Sequence, residues 1–220
     1  MKPIVSVLLC TLGRRDLLPT AIASYCSQTW EPRELVMVDS SGSCYDLVQD
    51  IPDVTYLHFE GKNLSVKRNY GIRAAKGEFI CHMDDDDFSA PGRVTDQVGR
   101  LLANPDKVLT GYKTALWYDF IDRKASRYNG SIWGASMSYR RQYALDHPWN
   151  EERFMAEDGD FIAPAHEKGQ VIASDGGDLF VATLHANNLR RPIAGNDPWV
   201  WPAVGVDSLP EGFRKVAGIA

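Results

Sequence analysis

The sequence lacks a long hydrophobic run: no apolar stretch in it approaches the ~20 residues that a helix needs to span a bilayer. It begins Met-Lys-Pro, without the apolar core of a secretory signal peptide. Cysteine is scarce, since the chain has four (Cys10, Cys26, Cys44 and Cys81) and none of them shows CxxC or other metal-type spacing. Cys10 and Cys81 lie in apolar runs, which is typical of buried free thiols. These absences predict a cytoplasmic protein.

An excess of positive charge is absent as well, because the net charge is −5 and the sequence pI is about 5.5. This balance gives no support to a global attraction to nucleic acid, although a local basic face stays possible. Hydrophobic residues make up 44% of the chain and charged residues 24%, as in an ordinary soluble globular protein. A length of 220 residues suffices for one large domain with its own core, or for two small domains.

The first half alternates short apolar runs with stretches of helical periodicity. The predicted strands are Ile4–Cys10, Leu35–Val38, Val54–Phe59 and Phe79–Met83. Helices are expected after a capping Asp16, over about 65–76 with Gly77 just beyond the end, and after Ser89 and Pro91. Strands that alternate with helices of this length predict an α/β fold, with a largely parallel sheet and helices on both faces.

The pattern changes after about residue 105. Longer strands rich in Trp and Tyr are expected over Val108–Phe120 and Ile132–Tyr139, followed by a short helix near 159–166 and strands over 170–173 and 179–184. We therefore expect one domain over 1–190, with a nucleotide half (1–105) and an acceptor half (106–190). The remaining residues, 191–220, contain several prolines and are expected to form an irregular tail.

Four consecutive carboxylates, Asp84 to Asp87, directly follow the apolar run Phe79–Met83. Two unit charges ~5 Å apart repel by roughly 3 kcal/mol at an effective dielectric constant of ~20, so such a cluster calls for protons or a cation. A solvated acidic turn is the alternative interpretation. The position at the end of a buried strand favours a ligand crevice instead, and hard oxygen ligands suit Mg²⁺ or Mn²⁺.

Further segments extend this pattern along the chain. In order, they read VSVLLCTLGR, LVMVDSS, KNLSVKRNYGIRAAKGEFICHMDDDD, GASMSYRR, FMAEDGDF and TLHANN. Together, from Val5 to about Asn188, they resemble the GT-A glycosyltransferases and, within them, glycosyltransferase family 2. The order and spacing of the segments carry this resemblance, since an Asp-x-Asp pair alone is a weak signal.

The resemblance implies a GT-A fold, which is a Rossmann-like, mixed but mostly parallel sheet flanked by helices. It implies an inverting sugar transfer from a nucleoside diphosphate sugar, here a UDP-sugar, to an acceptor hydroxyl. It also implies one divalent cation, Mn²⁺ or Mg²⁺, which would stabilise the departing nucleoside diphosphate. A sugar nucleotidyltransferase is an alternative, but it would need a Gly-rich loop and a Lys after the first strand, where only Gly13 is present. A non-catalytic nucleotide-sugar-binding module is the other alternative.

Several residues match positions of the family that hold the donor. Thr11 and Arg14 follow the first strand, within reach of a base and phosphates. Asp39 ends the second strand and matches the uracil- or ribose-binding Asp. Arg68 and Asn69 match the family's Arg-Asn pair, in a basic stretch just before the acidic turn. Structural roles are the alternative interpretation: Thr11 as a turn residue, Arg14 as a surface residue and Asp39 as the cap of the following turn.

The acidic run supplies the expected metal ligands. Asp84 and Asp86 match the Asp-x-Asp motif, but the register is uncertain by one residue. Asp85, as a contact of the nucleotide-sugar donor, and Asp87 therefore stay candidates for the site. His185 matches a late His that reaches the metal or the diphosphate; a lone His is more often structural. Arg190 and Arg191 could also reach the diphosphate.

Inverting transfer needs a base that deprotonates the acceptor. Glu157 and Asp158 match the family's Glu-Asp pair, with Asp158 as the base, and their alternative role is to complement a helix dipole.

The acceptor stays open between a glycan, a lipid-linked sugar, a protein and a hydroxylated DNA base. Trp133, Trp149 and Tyr139 are candidates to stack on sugars, with core packing as the alternative, and Gly134 and its small neighbours leave room for a sugar. The DNA hypothesis rests only on a basic cluster in the acceptor half, made of Arg123, Lys124, Arg127, Arg140 and Arg141.

Overall fold

The computed structural model describes residues 1–153, 156–186, 188 and 201–219. The strands are β1 (Val5–Thr11), β2 (Arg33–Asp39), β3 (Val54–His58), β4 (Phe79–Asp84), β5 (Phe88–Ser89), β6 (Leu109–Asp119), β7 (Lys124–Asn129), β8 (Ser138–Arg140), β9 (Val171–Asp175), β10 (Phe180–Leu184) and β11 (Ala203–Val204). The helices are α1 (Leu18–Cys26), α2 (Leu64–Ala74), α3 (Arg93–Ala103), α4 (Arg141–Asp146), α5 (Glu157–Glu167) and α6 (Glu211–Ala217).

These strands form a single mixed sheet in the order β11-β7-β6-β8-β4-β1-β2-β3. Strands β3, β2, β1 and β4 are parallel, as expected for the first half. Strand β8 runs antiparallel between β4 and β6 and so joins the two halves. Strands β9 and β10 pair in parallel with β6, and β5 pairs with β10. The predicted single-domain α/β class is confirmed.

Hydrophobic side chains cover both faces of the parallel half. Alternate residues of a strand point to opposite faces: Val7 and Leu9 of β1 pack in one core cluster, with residues of α1 and α3. Leu8 of β1 packs in the other cluster, with residues of α2, α4 and α5. Burial on both faces explains why these strands are continuous apolar runs in the sequence.

Some element boundaries differ from those predicted. Leu17, not Asp16, precedes α1, and Gly92, after Pro91, precedes α3. Helix α2 ends at Ala74 and the chain turns extended at Ala75, so Gly77 is not its C′ residue. Gly77 is instead a close approach, since a Cβ there would lie 2.5 Å from the Ser6 backbone nitrogen.

The chain after about residue 105 differs more from the prediction. The predicted strand over 132–139 is a 3₁₀ turn, Gly134–Ser136, followed by the short β8. Strand β7 and helix α4 were not predicted. The expected irregular tail contains β11, a 3₁₀ turn and α6 in its described part. Helix α6 packs its buried Phe213 against Phe88 of β5, 5.7 Å between ring centroids, so the end of the chain belongs to the core.

None of the helices within the described ranges has the length and apolar character needed to cross a bilayer. The four cysteines are free, and Cys44 and Cys81 are buried.

Candidate functional site

The carboxyl ends of three parallel strands meet at one edge of the sheet. Thr11 at the end of β1 pairs in register with Asp39 of β2, and Cys10 pairs with Asp84 of β4. Beside this edge lies a cavity of about 480 Å³. Its polar wall includes Arg68, Asp84, Asp86, Asp87, Glu157 and Asp158. The strand ends therefore form a crevice of the kind that holds ligands in open α/β sheets.

The acidic turn after β4 brings three carboxylates together. Oxygens of Asp84, Asp86 and Asp87 lie within 4.8 Å of one another. Burial, with repulsion from Asp86 and Asp85, raises the pKa of Asp84 to about 6 against the opposing field of Arg68. Burial and the same kind of repulsion raise the pKa of Asp87 well above its usual range. A cluster of carboxylate oxygens in which the charged forms of Asp84 and Asp87 are disfavoured fits a divalent cation, which would neutralise that charge.

Asp85 does not join this cluster. Its side chain is 1% exposed and points toward Thr11, whose hydroxyl donates to Asp85 Oδ2 at 2.6 Å. The Arg14 guanidinium donates to both oxygens of Asp85, one of them through Nε at 3.0 Å. Arg14 Nη1 also lies 2.9 Å from Asp86 Oδ2. Thr11, Arg14 and Asp85 do not line the cavity, so in this structure they brace the acidic turn from behind.

Asp86 is held from the opposite side by the segment after β10. His185 Nε2 lies 3.1 Å from Asp86 Oδ2, and Asn188 Nδ2 donates to the same oxygen at 3.3 Å. Thr183 of β10 donates its hydroxyl to the Asp86 carbonyl at 2.7 Å and its amide to Asp87 Oδ1 at 2.9 Å. Sequence reasoning named His185 but missed Thr183 and Asn188, although both lie in the quoted TLHANN segment.

The predicted catalytic pair lines the same cavity, at the start of α5. Arg68 Nη1 donates to Glu157 Oε1 at 3.1 Å and lies 3.5 Å from Asp158 Oδ1. The Arg68 guanidinium packs 4.1 Å from the ring centroid of Trp149. Burial of Arg68 is outweighed by Asp158 and its acidic neighbours, so the pKa of Arg68 is raised. Arg68 is thus a fixed cation between the acidic turn and the pair.

Gly134 fits tightly between these groups. Its amide donates to Asp158 Oδ2 at 2.8 Å. A Cβ on Gly134 would lie 2.6 Å from Arg68 Nη2 and 2.8 Å from Asp158 Oδ1. Contact with the Arg68 and Asp158 side chains is thus sufficient reason for a glycine here, and the room for a sugar expected from the sequence stays a prediction.

Asn69 has a different place from the one expected. Its amide donates to the Trp149 carbonyl at 2.9 Å and to Glu151 Oε1 at 2.8 Å, and its Oδ1 accepts from the Trp149 amide at 2.9 Å. The Asn69 side chain does not line the cavity. The neighbouring Lys67 is buried and donates to the Thr11 carbonyl at 3.0 Å. Both side chains hold loops of the site in place.

Asp39 is fully buried beneath the loop that follows β2. Its carboxylate accepts from the Tyr56 hydroxyl at 2.7 Å, from the Ser41 amide at 2.8 Å and from the Cys44 amide at 3.1 Å. Burial alone would raise the pKa of Asp39, but these hydrogen bonds outweigh it and lower the pKa. Asp39 shapes the edge of the crevice. The nucleobase of a donor could hydrogen-bond to its carboxylate only by replacing one of these partners.

The aromatic candidates separate into two groups. Trp149 and Tyr139 are 1% and 0% exposed and belong to the core, which is the alternative that the sequence left open. Trp133 lines the cavity, together with Trp117 of β6, which sequence reasoning missed. The pairing of β6 with β10 places Trp117 beside Ala182, and the sequence pattern does not reveal that pairing.

The predicted basic cluster does not form one surface. Arg140 donates to the carbonyls of Leu101 and Lys107, and Arg141 donates to that of Ile72. The registers of β7 and β8 place Lys124 and Arg140 near opposite ends of β6, roughly 33 Å apart at 3.3 Å per residue. The five residues therefore do not form one basic face, which removes the support for the DNA hypothesis, while a DNA acceptor as such stays an untested prediction. Arg190 and Arg191 lie outside the described residues.

Comparison with known proteins agrees with this geometry. The family model described as Glycosyl transferase family 2 matches residues 6–158. A protein of Haloferax volcanii named glucosyl-dolichyl phosphate glucuronosyltransferase is 33% identical over 115 residues, which cover 49% of this chain and 37% of that protein. An uncharacterized glycosyltransferase of Rickettsia felis is 30% identical over 131 residues, 56% of this chain and 21% of the relative. The chain thus covers well under half the length of these relatives.

Solved structures share the fold. S. aureus TarS (residues 1–349) in complex with UDP-GlcNAc aligns with a TM-score of 0.67 at 17% identity, over 86% of this chain and 60% of that one. The mannosyltransferase PcManGT of Pyrobaculum calidifontis, in complex with GDP-Man and Mn²⁺, aligns with a TM-score of 0.68 at 16% identity, over 86% and 59%.

Proposed function

Since the chain belongs to glycosyl transferase family 2, we propose that it is a glycosyltransferase that moves a sugar from a UDP-sugar to an acceptor hydroxyl, with a divalent cation and with inversion. The observation that carries this proposal is that an acidic triad and a Glu-Asp pair line one and the same cavity. Family membership leaves the nucleotidyltransferase and the non-catalytic module without support.

The acidic triad is the proposed cation site. Asp84, Asp86 and Asp87 supply the oxygens, and His185 stands beside Asp86. When bound, Mn²⁺ or Mg²⁺ would act as a Lewis acid that neutralises the charge developing on the departing diphosphate. The contacts of Asp85 with Thr11 and Arg14 support a role in holding this turn. Of the two further candidates in the acidic run, we propose Asp87 as a ligand beside Asp84 and Asp86, and Asp85 as a residue that holds the turn.

The donor phosphates have a second set of partners at the start of α2. Lys62, Ser65 and Arg68 line the cavity there. The Ser65 hydroxyl is buried and has no hydrogen-bond partner among the described residues. A helix N-terminus, a cation and an unused hydroxyl together suit an anionic group. Ser65 gave no signal in the sequence beyond its place in the quoted KNLSVKRN segment.

Asp158 is the proposed base, and Glu157 supports it. The Asp158 side chain is 29% exposed, twice the 14% of Glu157, and it lines the cavity. The Gly134 amide and Arg68 fix the orientation of its two oxygens. From this position Asp158 would take the proton of the acceptor hydroxyl as that oxygen attacks the sugar carbon, on the face opposite the departing diphosphate.

The test is nucleoside diphosphate release from a panel of UDP- and GDP-sugars, with Mn²⁺ and with EDTA. Asp86→Ala and Asp158→Asn should each lower the rate of release by 10²-fold or more. Asp50→Ala removes an exposed carboxylate outside the cavity and should leave the rate unchanged. Binding of UDP that requires Mn²⁺, without turnover, would indicate a strict acceptor requirement. Release that EDTA leaves unchanged would refute the metal step, and release from GDP-sugars alone would refute the UDP assignment.

A further inference from the structure

A buried arginine of α3 lies behind the site. Arg93 is 0% exposed, and its side chain does not line the cavity. The guanidinium packs 4.6 Å from the ring centroid of Phe180 in β10. Each of its three nitrogens donates to a neutral oxygen rather than to a carboxylate. Burying a charge among neutral groups is unfavourable unless hydrogen bonds offset the lost hydration, so the positions of these acceptors fix Arg93 in place.

Two of these hydrogen bonds connect Arg93 to different parts of the site. Arg93 Nη1 donates to the Ser89 hydroxyl at 2.7 Å, and Nη2 donates to the Ala135 carbonyl at 2.6 Å. Ser89 lies two residues after the last carboxylate of the acidic triad. Ala135 directly follows Gly134, whose amide donates to Asp158. Because the guanidinium is a rigid planar fork, it holds these two segments at a fixed separation.

A second side chain of α3 holds the same 3₁₀ turn. Gln97 lies one helical turn after Arg93 and is also 0% exposed. Its Nε2 donates to the Ser136 carbonyl at 2.7 Å, and its Oε1 accepts from the Ser138 hydroxyl at 2.8 Å. Two consecutive carbonyls of the turn therefore accept from α3, while the first amide of the turn donates to Asp158. Helix α3 thus fixes the backbone that orients the proposed base.

The charge of Arg93 also acts on the acidic triad. Burial and the charges of Asp86 and Asp84 raise the pKa of Asp87, and the field of Arg93 opposes that rise. Arg93 thus favours the ionised form of a carboxylate that we propose as a cation ligand. Its charge and its hydrogen bonds are two separable contributions, which different substitutions can distinguish.

We infer that Arg93 is a positioning residue that sets the spacing between the acidic triad and Asp158, because one guanidinium holds both Ser89 and Ala135. This inference rests on the proposed function, since it assigns a further residue to the same reaction.

The first experiment measures whether Arg93 holds the turn, by amide hydrogen exchange in NMR spectra of the full chain. The amides of Ser136 and Met137 donate within the turn at 3.0 and 3.1 Å. In Arg93→Gln their exchange should accelerate by roughly tenfold or more relative to the amides of β2, because the turn opens locally. Equal acceleration at all amides, which loss of global stability alone would produce, would overturn the inference.

The second experiment separates kcat from KM in nucleoside diphosphate release, with rates expressed per site that binds UDP and Mn²⁺. In Arg93→Gln, kcat should fall by about 10- to 100-fold, as expected for a misplacement of up to 1 Å. The KM of the donor should stay within about threefold, because no group that lines the cavity is removed. Arg93→Lys keeps the charge but lacks the fork, so it should retain most of this defect. Full kcat in Arg93→Lys would show that charge alone suffices and would overturn the inference.

Two further variants complete the test. Arg100→Gln alters an arginine of the same helix whose side chain is 40% exposed and pairs with Asp96, and it should change neither turn exchange nor kcat. Ser89→Ala is the milder change should Arg93→Gln not fold. It should lower kcat by about threefold or more through one lost hydrogen bond, and add nothing in the Arg93→Lys background. An unchanged kcat in Ser89→Ala would contradict the link to the acidic triad.

Failure of the proposed function gives a different result. The unaltered chain would then release no nucleoside diphosphate from any donor, whereas hydrogen exchange would still report on the turn. Local acceleration in Arg93→Gln would support the role of Arg93 in holding the turn, and unchanged exchange at Ser136 and Met137 would overturn the inference whatever the activity.

Discussion

Replacing Gly134 with alanine tests how closely Arg68 and Asp158 are set. The added Cβ would lie 2.6 Å from Arg68 Nη2 and 2.8 Å from Asp158 Oδ1, where ordinary contact begins at 3.4 Å. The two side chains must therefore move by about 0.8 and 0.6 Å. Arg68 has little freedom to move, because it is 3% exposed and lies against Trp149. Much of the displacement should fall on Asp158.

The expected effect is on rate rather than on stability. A misplacement near 1 Å costs about 10²-fold in rate, so a shift of this size should lower kcat by roughly 30- to 100-fold, about 2–2.7 kcal/mol in the barrier. Gly134 has no positive φ, and the alanine restricts the unfolded chain by about 0.4–1 kcal/mol. We therefore expect Tm to change by no more than about 4 °C.

The assay is nucleoside diphosphate release under saturating donor and Mn²⁺, with Tm measured on the same preparations. Gly159→Ala is the matched control: Gly159 follows Asp158 in α5, and a Cβ there meets nothing within 4 Å. It should keep kcat and gain a little stability, since alanine favours a helix. A Gly134→Ala variant with the kcat of the unaltered chain would refute the argument that this close contact positions the base.

Three further predictions concern the edge of the sheet. Adding Mn²⁺ should raise Tm, because a ligand held at 100 times its Kd stabilises by about 2.7 kcal/mol; Asp86→Asn should abolish the shift, and a shift that survives would place the cation elsewhere. Thr11→Val should lower the free energy of unfolding by about 1–3 kcal/mol, because buried Asp85 loses its hydroxyl donor. Urea unfolding measures this change, and an unchanged midpoint would contradict the prediction. Tyr56→Phe should cost about 1.5–3 kcal/mol at pH 7, since the hydroxyl donates to the Asp39 carboxylate. Folding lowers the pKa of Asp39 from 3.8, so the stabilisation by its carboxylate is present above pH 3.8 and is lost as the pH falls through the lower folded pKa. The difference in unfolding free energy between Tyr56→Phe and the unaltered chain should therefore shrink in that range. A difference that stays constant down to about pH 2 would refute the assignment.

The residues at the strand ends could be predicted because parallel strands place their carboxyl ends at one edge. Thr11, Asp39 and Asp84 needed only the strand assignments and that rule. The cluster after β4 was visible as four adjacent carboxylates, but which of them turn inward was not. Asp85 turns toward Arg14, 71 residues earlier in the chain, and no local pattern encodes that contact.

The other side of the site depends on contacts between distant segments. Gly134 meets Arg68 and Asp158 through the packing of the 3₁₀ turn, α2 and α5. Asn69 looks like a ligand-binding residue in the sequence, yet its amide holds the backbone at Trp149, 80 residues later. Trp117 joins the cavity because β6 pairs with β10, a crossover that residue periodicity does not reveal. Periodicity predicts which elements form, while these contacts depend on how the elements meet.

The environment of Trp149 links the two halves of the domain. Its indole contacts the Arg68 guanidinium at 4.1 Å and stacks on Phe161 of α5 at 4.1 Å and 6°, and the Asn69 side chain hydrogen-bonds its backbone. Two adjacent residues of α2 thus hold the same tryptophan, by ring and by backbone. Because these contacts join α2 to α5, we expect the halves to act as one rigid frame, in which the distance from the donor to the attacking hydroxyl is built in rather than set by closure. Substrate preference could then change through loop residues around the cavity while the reacting geometry is inherited intact.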